Sequence, residues 1–482
     1  MHRTVAVVAV LCLCSSVAVV AGGPVTTATT ATAMADRGSE PSTLDPSTPV
    51  LATAPNDTTS YLAIPPENVT NATVTEASLD VGGALAADAA ATKGRVAALA
   101  IDERLSRANT TAAKQVVIRD AGERIEGRID RLSTSQRAAI AAYSNGGETT
   151  REFVYTLAHG QVRASELLGA VSRLETAAAS VPGTAIGGES VASWARDRRV
   201  ELGIVTSPLR GRLVGAFRGF GPIGVYVEVG NTGVVLATTD RGRYVRDSYL
   251  PADRADGPPD GPAGLSAALD RVIALYPWAW NTSTGVESAG GPAAESYRIT
   301  VFHRQGRLTT HLDPRTGSVF REVQVKSLRR VPTAPPITAT GEGLDVAVRR
   351  TYATGPMNVS VTEATSGEPV NATVVVDDRT VGRTGLDGSL WAISPRGELN
   401  LTVTDGDRVV TTRVASSSRA ATGDDGAAAE GTAMPPPADR PAATGTRSPP
   451  PGNRSIKAGT ETATTTAGNA TIAPGNATAG TP

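Results

Sequence analysis

Cysteine is the first absence. The 482 residues hold two, Cys12 and Cys14, both inside an apolar N-terminal run. A chain processed after that run carries no thiol, which excludes disulfides, thiolate metal sites and cysteine nucleophiles. Lysine is nearly missing as well: Lys93, Lys114, Lys326 and Lys457 are the only four, so arginine carries the positive charge. The formal net charge of −1 leaves neither a cationic field for nucleic acid nor a polyacidic tail. Aromatics are scarce too, 5 Phe, 4 Trp and 9 Tyr, and eleven of them fall between Phe217 and Phe320. Large rings remove the most apolar surface from water, so the densest core is expected there. No H-E-x-x-H, G-x-S-x-G or S-x-x-K motif occurs, and no second long hydrophobic run follows the first.

The first run reads as a secretory signal. His2 and Arg3 precede an apolar stretch from Thr4 to Val20, and Val19-Val-Ala21 supplies small residues for cleavage after Ala21. A retained anchor is the alternative, because the run approaches the roughly 20 residues of a bilayer span. Export agrees with the asparagines. Of 13, eleven begin an N-x-Ser/Thr acceptor pattern: Asn56, Asn68, Asn71, Asn109, Asn281, Asn358, Asn371, Asn400, Asn453, Asn469 and Asn476. These are the expected glycosylation sites.

Composition and period then divide the chain. Residues 22–60 are a Thr/Ala/Pro-rich linker, and residues 416–482 a disordered tail too poor in large aliphatics to offset its ordering entropy. Residues 61–213 form an Ala-rich helical domain. Ile118, Ile125, Ile129, Leu132, Ile140 and Tyr143 mark one apolar face, and Phe153, Leu157, Ala164, Leu167, Val171 and Leu174 mark another. Asn145-Gly-Gly147 turns between them, which predicts an antiparallel helical hairpin, and Ser133–Gln136 reads as a capping box restarting the first helix. Residues 214–332 change to strand periodicity around a helix from Leu265 to Tyr276 that Pro277 stops, an α+β domain of antiparallel sheet plus helix. Residues 338–415 carry turns every 8–12 residues, the rhythm of an all-β sandwich.

Candidate chemistry is thin. Gly219-Phe-Gly-Pro-Ile-Gly224 spells the dinucleotide fingerprint, but Pro222 removes a donor and a strand, not a helix, follows. The glycines are instead expected to fold Phe217 and Phe220 onto the sheet. His303 and His311 fail as a metal pair. With Gln305-Gly306 as the turn, His303 pairs with Leu308 and His311 with Thr300, on opposite faces. With Arg304 in the loop they share a face but stand about 13 Å apart, at roughly 3.3 Å per residue. Asp240, Asp247, Asp253 and Asp256 cluster among turn residues, and Arg196, Arg198, Arg199, Arg210, Arg212 and Arg218 read as a solvated basic face. Trp278 and Trp280, two residues apart beside the Asn281 acceptor, are the candidate recognition surface. No catalytic, cofactor-binding or metal residue is assigned.

Two segments resemble known modules. Tyr297–His303, Leu308–Leu312, the Asp313-Pro-Arg-Thr-Gly317 turn and Ser318–Val323 are similar to the PepSY type, which implies three antiparallel strands beside a helix. The run from Val361 to Val376 followed by Gly382-Arg-Thr-Gly-Leu-Asp-Gly388 resembles a carboxypeptidase-regulatory-like or transthyretin-like domain, which implies a spacer or adhesion module. The whole order, with its Arg-over-Lys, Ala-rich composition, resembles uncharacterised exported or cell-surface proteins of haloarchaea. The expected function is therefore a noncatalytic, glycosylated envelope or extracellular protein acting as an interaction or spacer module. Its expected partners are cell-surface glycans or another envelope protein, with membrane contact only through a retained N-terminus. A secreted peptidase-binding or inhibitory protein is the alternative, and a hydrolase with an unrecognised carboxylate site the second.

Overall fold

The computed structural model describes residues 62–254 and 261–415. The signal segment, the linker up to residue 60 and the tail lie outside the described residues, as do Asn56, Asn453, Asn469, Asn476 and Asp256. An extended stretch, Leu62 to Ile64, leads into β1 (Val69–Ala77). Three long helices follow: α1 (Val81–Arg107), α2 (Thr111–Ser144) and α3 (Thr150–Ala178). A two-residue hairpin, β2 (Ala185–Ile186) and β3 (Glu189–Ser190), precedes α4 (Val191–Gly203) and α5 (Pro208–Phe217).

The hairpin of α2 and α3 forms where the stripes predicted it. Asn145 caps α2, and Thr149 and Glu152 satisfy each other's backbone donors at the start of α3 in a capping box. All six stripe residues of α3 are buried, as are their counterparts on α2. Ser133–Gln136 does not restart the helix. α2 runs through it unbroken, because Gln136 turns inward to a buried arginine instead of capping a backbone donor.

The middle of the chain supplies β4 (Ile223–Gly230), β5 (Gly233–Asp240), β6 (Arg243–Tyr249), α6 (Leu265–Leu275), α7 (Pro277–Asn281), β7 (Ser283–Gly291), β8 (Ser296–His303), β9 (Gly306–Leu312) and β10 (Val319–Ser327). Pro277 ends α6 but opens α7, since a first-turn proline has no donor to lose. With β1 these strands make one eight-stranded antiparallel sheet in the order β1-β4-β5-β6-β10-β9-β8-β7. The sheet thus takes an edge strand from ahead of the helices.

Both faces of its centre are covered. On one, Val225, Val227, Val229, Leu236 and Tyr249 pack against α3 and α5 through Phe153, Leu157, Leu209, Leu213 and Phe217. A second helical core lies between α2, α3 and α4, around Ile125, Leu167, Val171 and Trp194. On the other face, Leu62 and Ile64 join Val235, Leu250, Ala268, Val272, Tyr276 and Ile299. Strands covered twice lose the alternation of a half-wet sheet, and β4 to β6 and β10 are buried almost throughout.

The rest is a sandwich. β11 (Ile337–Gly341), β12 (Leu344–Arg350) and β13 (Pro356–Glu363) form one sheet with β16. β14 (Thr373–Val376) and β15 (Arg379–Arg383) form the other with the last two strands. Those later strands are β16 (Ser389–Ile393), β17 (Leu399–Asp405) and β18 (Arg408–Val414). Leu344, Val346 and Val348 alternate inward along β12 to meet Val374, Leu401 and Val403. The architecture is therefore multidomain: helical hairpin and bundle, α+β with an antiparallel sheet, and all-β sandwich.

Candidate functional site

The polar residues that matter most are interior ones. α5 begins with Ser207 as cap and Pro208 in its first turn, and the Ser207 amide donates to Gln161 Oε1 at 2.9 Å. That start aims Arg210 into the sheet, where it is wholly buried. Its Nε donates to Asp247 Oδ2 at 3.0 Å on β6, and its Nη1 donates to Val205 O at 2.9 Å and Gln136 Oε1 at 3.2 Å. Arg321 on β10 reaches the same carboxylate, Nη2 to Oδ2 at 3.1 Å and Nη1 to Oδ1 at 3.0 Å. Two guanidinium groups thus share one carboxylate out of water. Burial alone would raise the Asp247 pKa, but Arg321 and Arg210 outweigh it and hold it below the usual range. Burial lowers Arg321 to about 10, which leaves it charged at neutral pH.

Arg210 and Gln136 also line a cleft of about 370 Å³ between α2 and α3, together with Tyr155, His159 and Arg163. The Tyr155 and His159 rings lie 4.3 Å apart, and burial followed by Arg163 lowers the His159 pKa. Arg210 Nη2, Gln136 Nε2 and His159 Nε2 have no hydrogen-bond partner among the described residues.

A second polar layer lies on the opposite face of the sheet. Glu322 on β10 accepts from Arg246 Nη1 at 2.8 Å, Gln324 Nε2 at 2.8 Å, Tyr276 Oη at 2.7 Å and the Leu62 amide at 2.9 Å. Arg246 Nη2 in turn donates to Leu62 O at 2.6 Å. Beside it, Glu228 on β4 accepts from Tyr226 Oη at 2.8 Å and from Arg396 of the sandwich, Nε at 2.7 Å and Nη2 at 2.6 Å. Arg396 Nη2 also reaches Ile64 O at 2.8 Å. Tyr244 Oη to Thr354 O at 2.9 Å, Thr239 Oγ1 to Trp391 O at 2.7 Å and Lys326 Nζ to Tyr352 Oη at 2.8 Å complete the contact between sheet and sandwich.

The residues singled out from sequence are spread over the molecule. Trp278 is half-buried in the apolar cluster around α6, edge-on to His303 at 5.3 Å, and Trp280 is also half-buried. The hairpin turn is Arg304-Gln305, so His303 pairs with Gly306 and His311 with Arg298, a register two residues from the expected one. The two imidazoles still take opposite faces. His311 Nδ1 lies 3.1 Å from Ser296 Oγ, and burial holds its pKa well below the ordinary value. Asp240 is held by both forks of Arg212, at 2.7 and 3.2 Å, while Asp253 sits in a 3-10 turn where burial raises its pKa to about 6.

Of the basic stretch only Arg196 is a plainly exposed side chain; the other five arginines are ion-paired. Arg198, Arg199, Arg210, Arg212 and Arg218 pair with Glu201, Glu175, Asp247, Asp240 and Asp88. The glycine motif follows the end of α5 and enters β4, the reverse of a phosphate-binding strand–turn–helix order. Gly219 there has φ +85° and its amide donates to Ala216 O, closing the helix; Phe217 is buried but Phe220 is 68 % exposed and does not fold onto the sheet. Seven acceptor asparagines are described. Asn68, Asn71, Asn109, Asn281, Asn371 and Asn400 are exposed; Asn358 is half-buried and donates to Ser389 Oγ at 2.8 Å.

Sequence reading missed the Arg210–Asp247–Arg321 triad, the cleft and the Glu228 and Glu322 networks. The signal available was a pair of strands, Val245–Tyr249 and Val319–Lys326, in which charged residues interrupt otherwise apolar runs.

Three family models match in succession. Residues 1–220 match a domain of unknown function (DUF7096), residues 225–332 a family of unknown function (DUF7094), and residues 336–412 an archaeal fibronectin-III type-like domain. No curated protein matches the chain. Among the described residues no helix is long and apolar enough to cross a membrane, and no three His, Cys, Asp or Glu side chains gather as a metal site.

Proposed function

We propose that the protein is a noncatalytic, N-glycosylated interaction or spacer module, exported to the cell envelope or the exterior. The observation that carries this reading is the disposition of the acceptor asparagines: six of the seven described are exposed, just before and on β1, on the α1–α2 connection, at the end of α7 and on the sandwich. A sequon must be reachable to receive a sugar. The absence of catalysis is supported by how the buried carboxylates are used. Asp247, Glu228 and Glu322 are each held by arginine. On this reading the strands β8 to β10 beside α6 are a PepSY-like element, and the sandwich is a carboxypeptidase-regulatory-like spacer that presents the module to surface glycans or to another envelope protein.

Fractionation of the native host with intact-mass and glycopeptide spectrometry tests it. The expected result is a mature N-terminus at Gly22, sugar at Asn68, Asn109, Asn281, Asn371 and Asn400, and none at Asn71 or Asn358, whose amides donate to Tyr143 Oη and Ser389 Oγ. A carbohydrate-free protein recovered from the cytosol would overturn the proposal. A stoichiometric peptidase in the same fraction would move the role from spacer to inhibitor.

A further inference from the structure

The cleft between α2 and α3 has the makings of a ligand site that the spacer reading does not use. Its floor is built from two side chains that are nine-tenths or more buried, Arg210 at 0 % and Gln136 at 5 % exposure. Each offers one donor that no protein group takes, Nη2 and Nε2. These are the two donors that do not face each other, since Gln136 Oε1 already accepts from Arg210 Nη1. A buried N–H without an acceptor costs roughly 1–3 kcal/mol, more where it is charged, so this pair favours whatever brings an oxygen to it.

Charge gives a second, independent reason. Arg210 and Arg321 share Asp247 alone, so the triad buries one positive charge more than it neutralises. Arg163 stands exposed at the cleft, and no Asp or Glu lines it. An anion entering there meets two guanidiniums and no carboxylate in the lining, Asp247 standing behind Arg210 on its Nε at 3.0 Å. The walls carry apolar and aromatic surface, Leu132 and Leu157 with Tyr155 beside His159, alongside the hydroxyls of Ser135 and Thr156. A volume of about 370 Å³ suits a small organic molecule, within the roughly 300–1,000 Å³ of such sites.

We propose that this cleft binds a small organic acid through its carboxylate, which Arg210 Nη2 and Gln136 Nε2 receive at the floor while the carbon body lies against Leu132, Leu157 and Tyr155. An oxyanion fits because the free atom of each floor group is a donor, the Gln136 Oε1 acceptor being already taken by Arg210 Nη1. A carboxylate is favoured over an inorganic oxyanion because the walls reward apolar surface, which sulfate lacks. The inference does not depend on where the chain resides or on whether it is glycosylated.

Isothermal titration of the full chain with sodium benzoate, sodium glucuronate and sodium sulfate, each at ionic strength matched with sodium chloride, tests it. Saturable one-to-one binding of benzoate or glucuronate, and weaker binding of sulfate, is expected. Gln136→Glu keeps the acceptor for Arg210 Nη1 and places a built-in carboxylate where the free amide donor stood. It should weaken binding by about tenfold or more while preserving the helical circular dichroism. Arg163→Gln, on the exposed rim, should weaken it about threefold without touching the fold, and decides the matter if Gln136→Glu fails to fold. No saturable binding to any probe, or affinity unchanged in these variants, would overturn the site. Sulfate binding alone would overturn the carboxylate assignment.

Discussion

Among the described residues, the one arginine that ion-pairs across the contact between sandwich and sheet is Arg396, and its removal has a calculable effect. Arg396 gives two hydrogen bonds to Glu228, at 2.6 and 2.7 Å, and one to Ile64 O at 2.8 Å. Glu228 has no exposed surface, and Tyr226 Oη is its other side-chain donor. Arg396→Met keeps most of the stem but leaves a buried carboxylate with a single hydroxyl. Breaking a buried pair from one side costs about 3–5 kcal/mol. Because 29 % of the Arg396 side chain is exposed, water can partly replace it, so the lower end, about 3 kcal/mol, is expected. Glu228→Gln, which strands no buried charge, should cost about 1–2 kcal/mol. The double variant should be less damaged than the sum, by a coupling of about 1–2 kcal/mol. Urea is the right denaturant, since guanidinium salt would screen the pair being measured. Tryptophan fluorescence reports the event, because Trp391 packs with Tyr226 and Tyr244 at this contact. The wild type should lose sheet and sandwich together, and Arg396→Met should separate them into two transitions. A loss below about 1 kcal/mol, or strict additivity in the cycle, would refute the claim that this ion pair holds the two together.

Two further perturbations read other parts of the fold. Burial raises the Glu201 pKa to about 7, with Arg198 opposing only in part, so the folded state holds this proton more tightly than the unfolded chain does. Stability from that source is present below the ordinary carboxyl range and is lost as pH rises through 7; Glu201→Gln should therefore gain up to about 3 kcal/mol at pH 8 and nothing at pH 4. Equal urea midpoints for the two proteins at pH 8 would contradict it. Gly219→Ala, at φ +85°, should cost about 1 kcal/mol, whereas Gly224→Ala, with open space around its would-be Cβ, should cost less than half of that by the same urea titration.

Local patterns carried much of the architecture. The α3 stripe at steps of 4, 7, 3, 4 and 3 is buried at every position, and the Thr149–Glu152 box is formed as spelled. β12 alternates inward and outward without exception. What the sequence hid was long-range pairing. β1 reads as a polar, sequon-bearing stretch, VTNATVTEA, and its partner β4 lies some 150 residues later. β7, STGVESAGG, is equally poor in strand formers and is fixed by its ladder with β8. Edge strands of this kind take their conformation from a neighbour, which a local window does not contain. The same reason explains Gln136: a Ser-x-x-Gln box and a buried amide look alike until Arg210, 74 residues away, supplies the partner.

The interior charges were illegible for a different reason, and it bears on what they do. In a half-exposed strand, Arg246 and Glu322 would face water by period. Here both faces are covered, so they face each other diagonally across β6 and β10. An apolar pair of equal size often serves stability as well as a buried ion pair does. It would fail here, because the network also satisfies main-chain groups. Glu322 accepts from the Leu62 amide, Arg246 donates to Leu62 O, and Arg396 donates to Ile64 O. These three groups belong to an extended segment that lies outside the strand ladders, against the buried face of the sheet. Without the ions they would be buried and unpaired, at roughly 1–3 kcal/mol each. The charges are therefore fixed by the path of the chain: they let a segment that buries Leu62 and Ile64 but exposes Ala63 lie against the sheet, and they bring the sandwich onto the same surface.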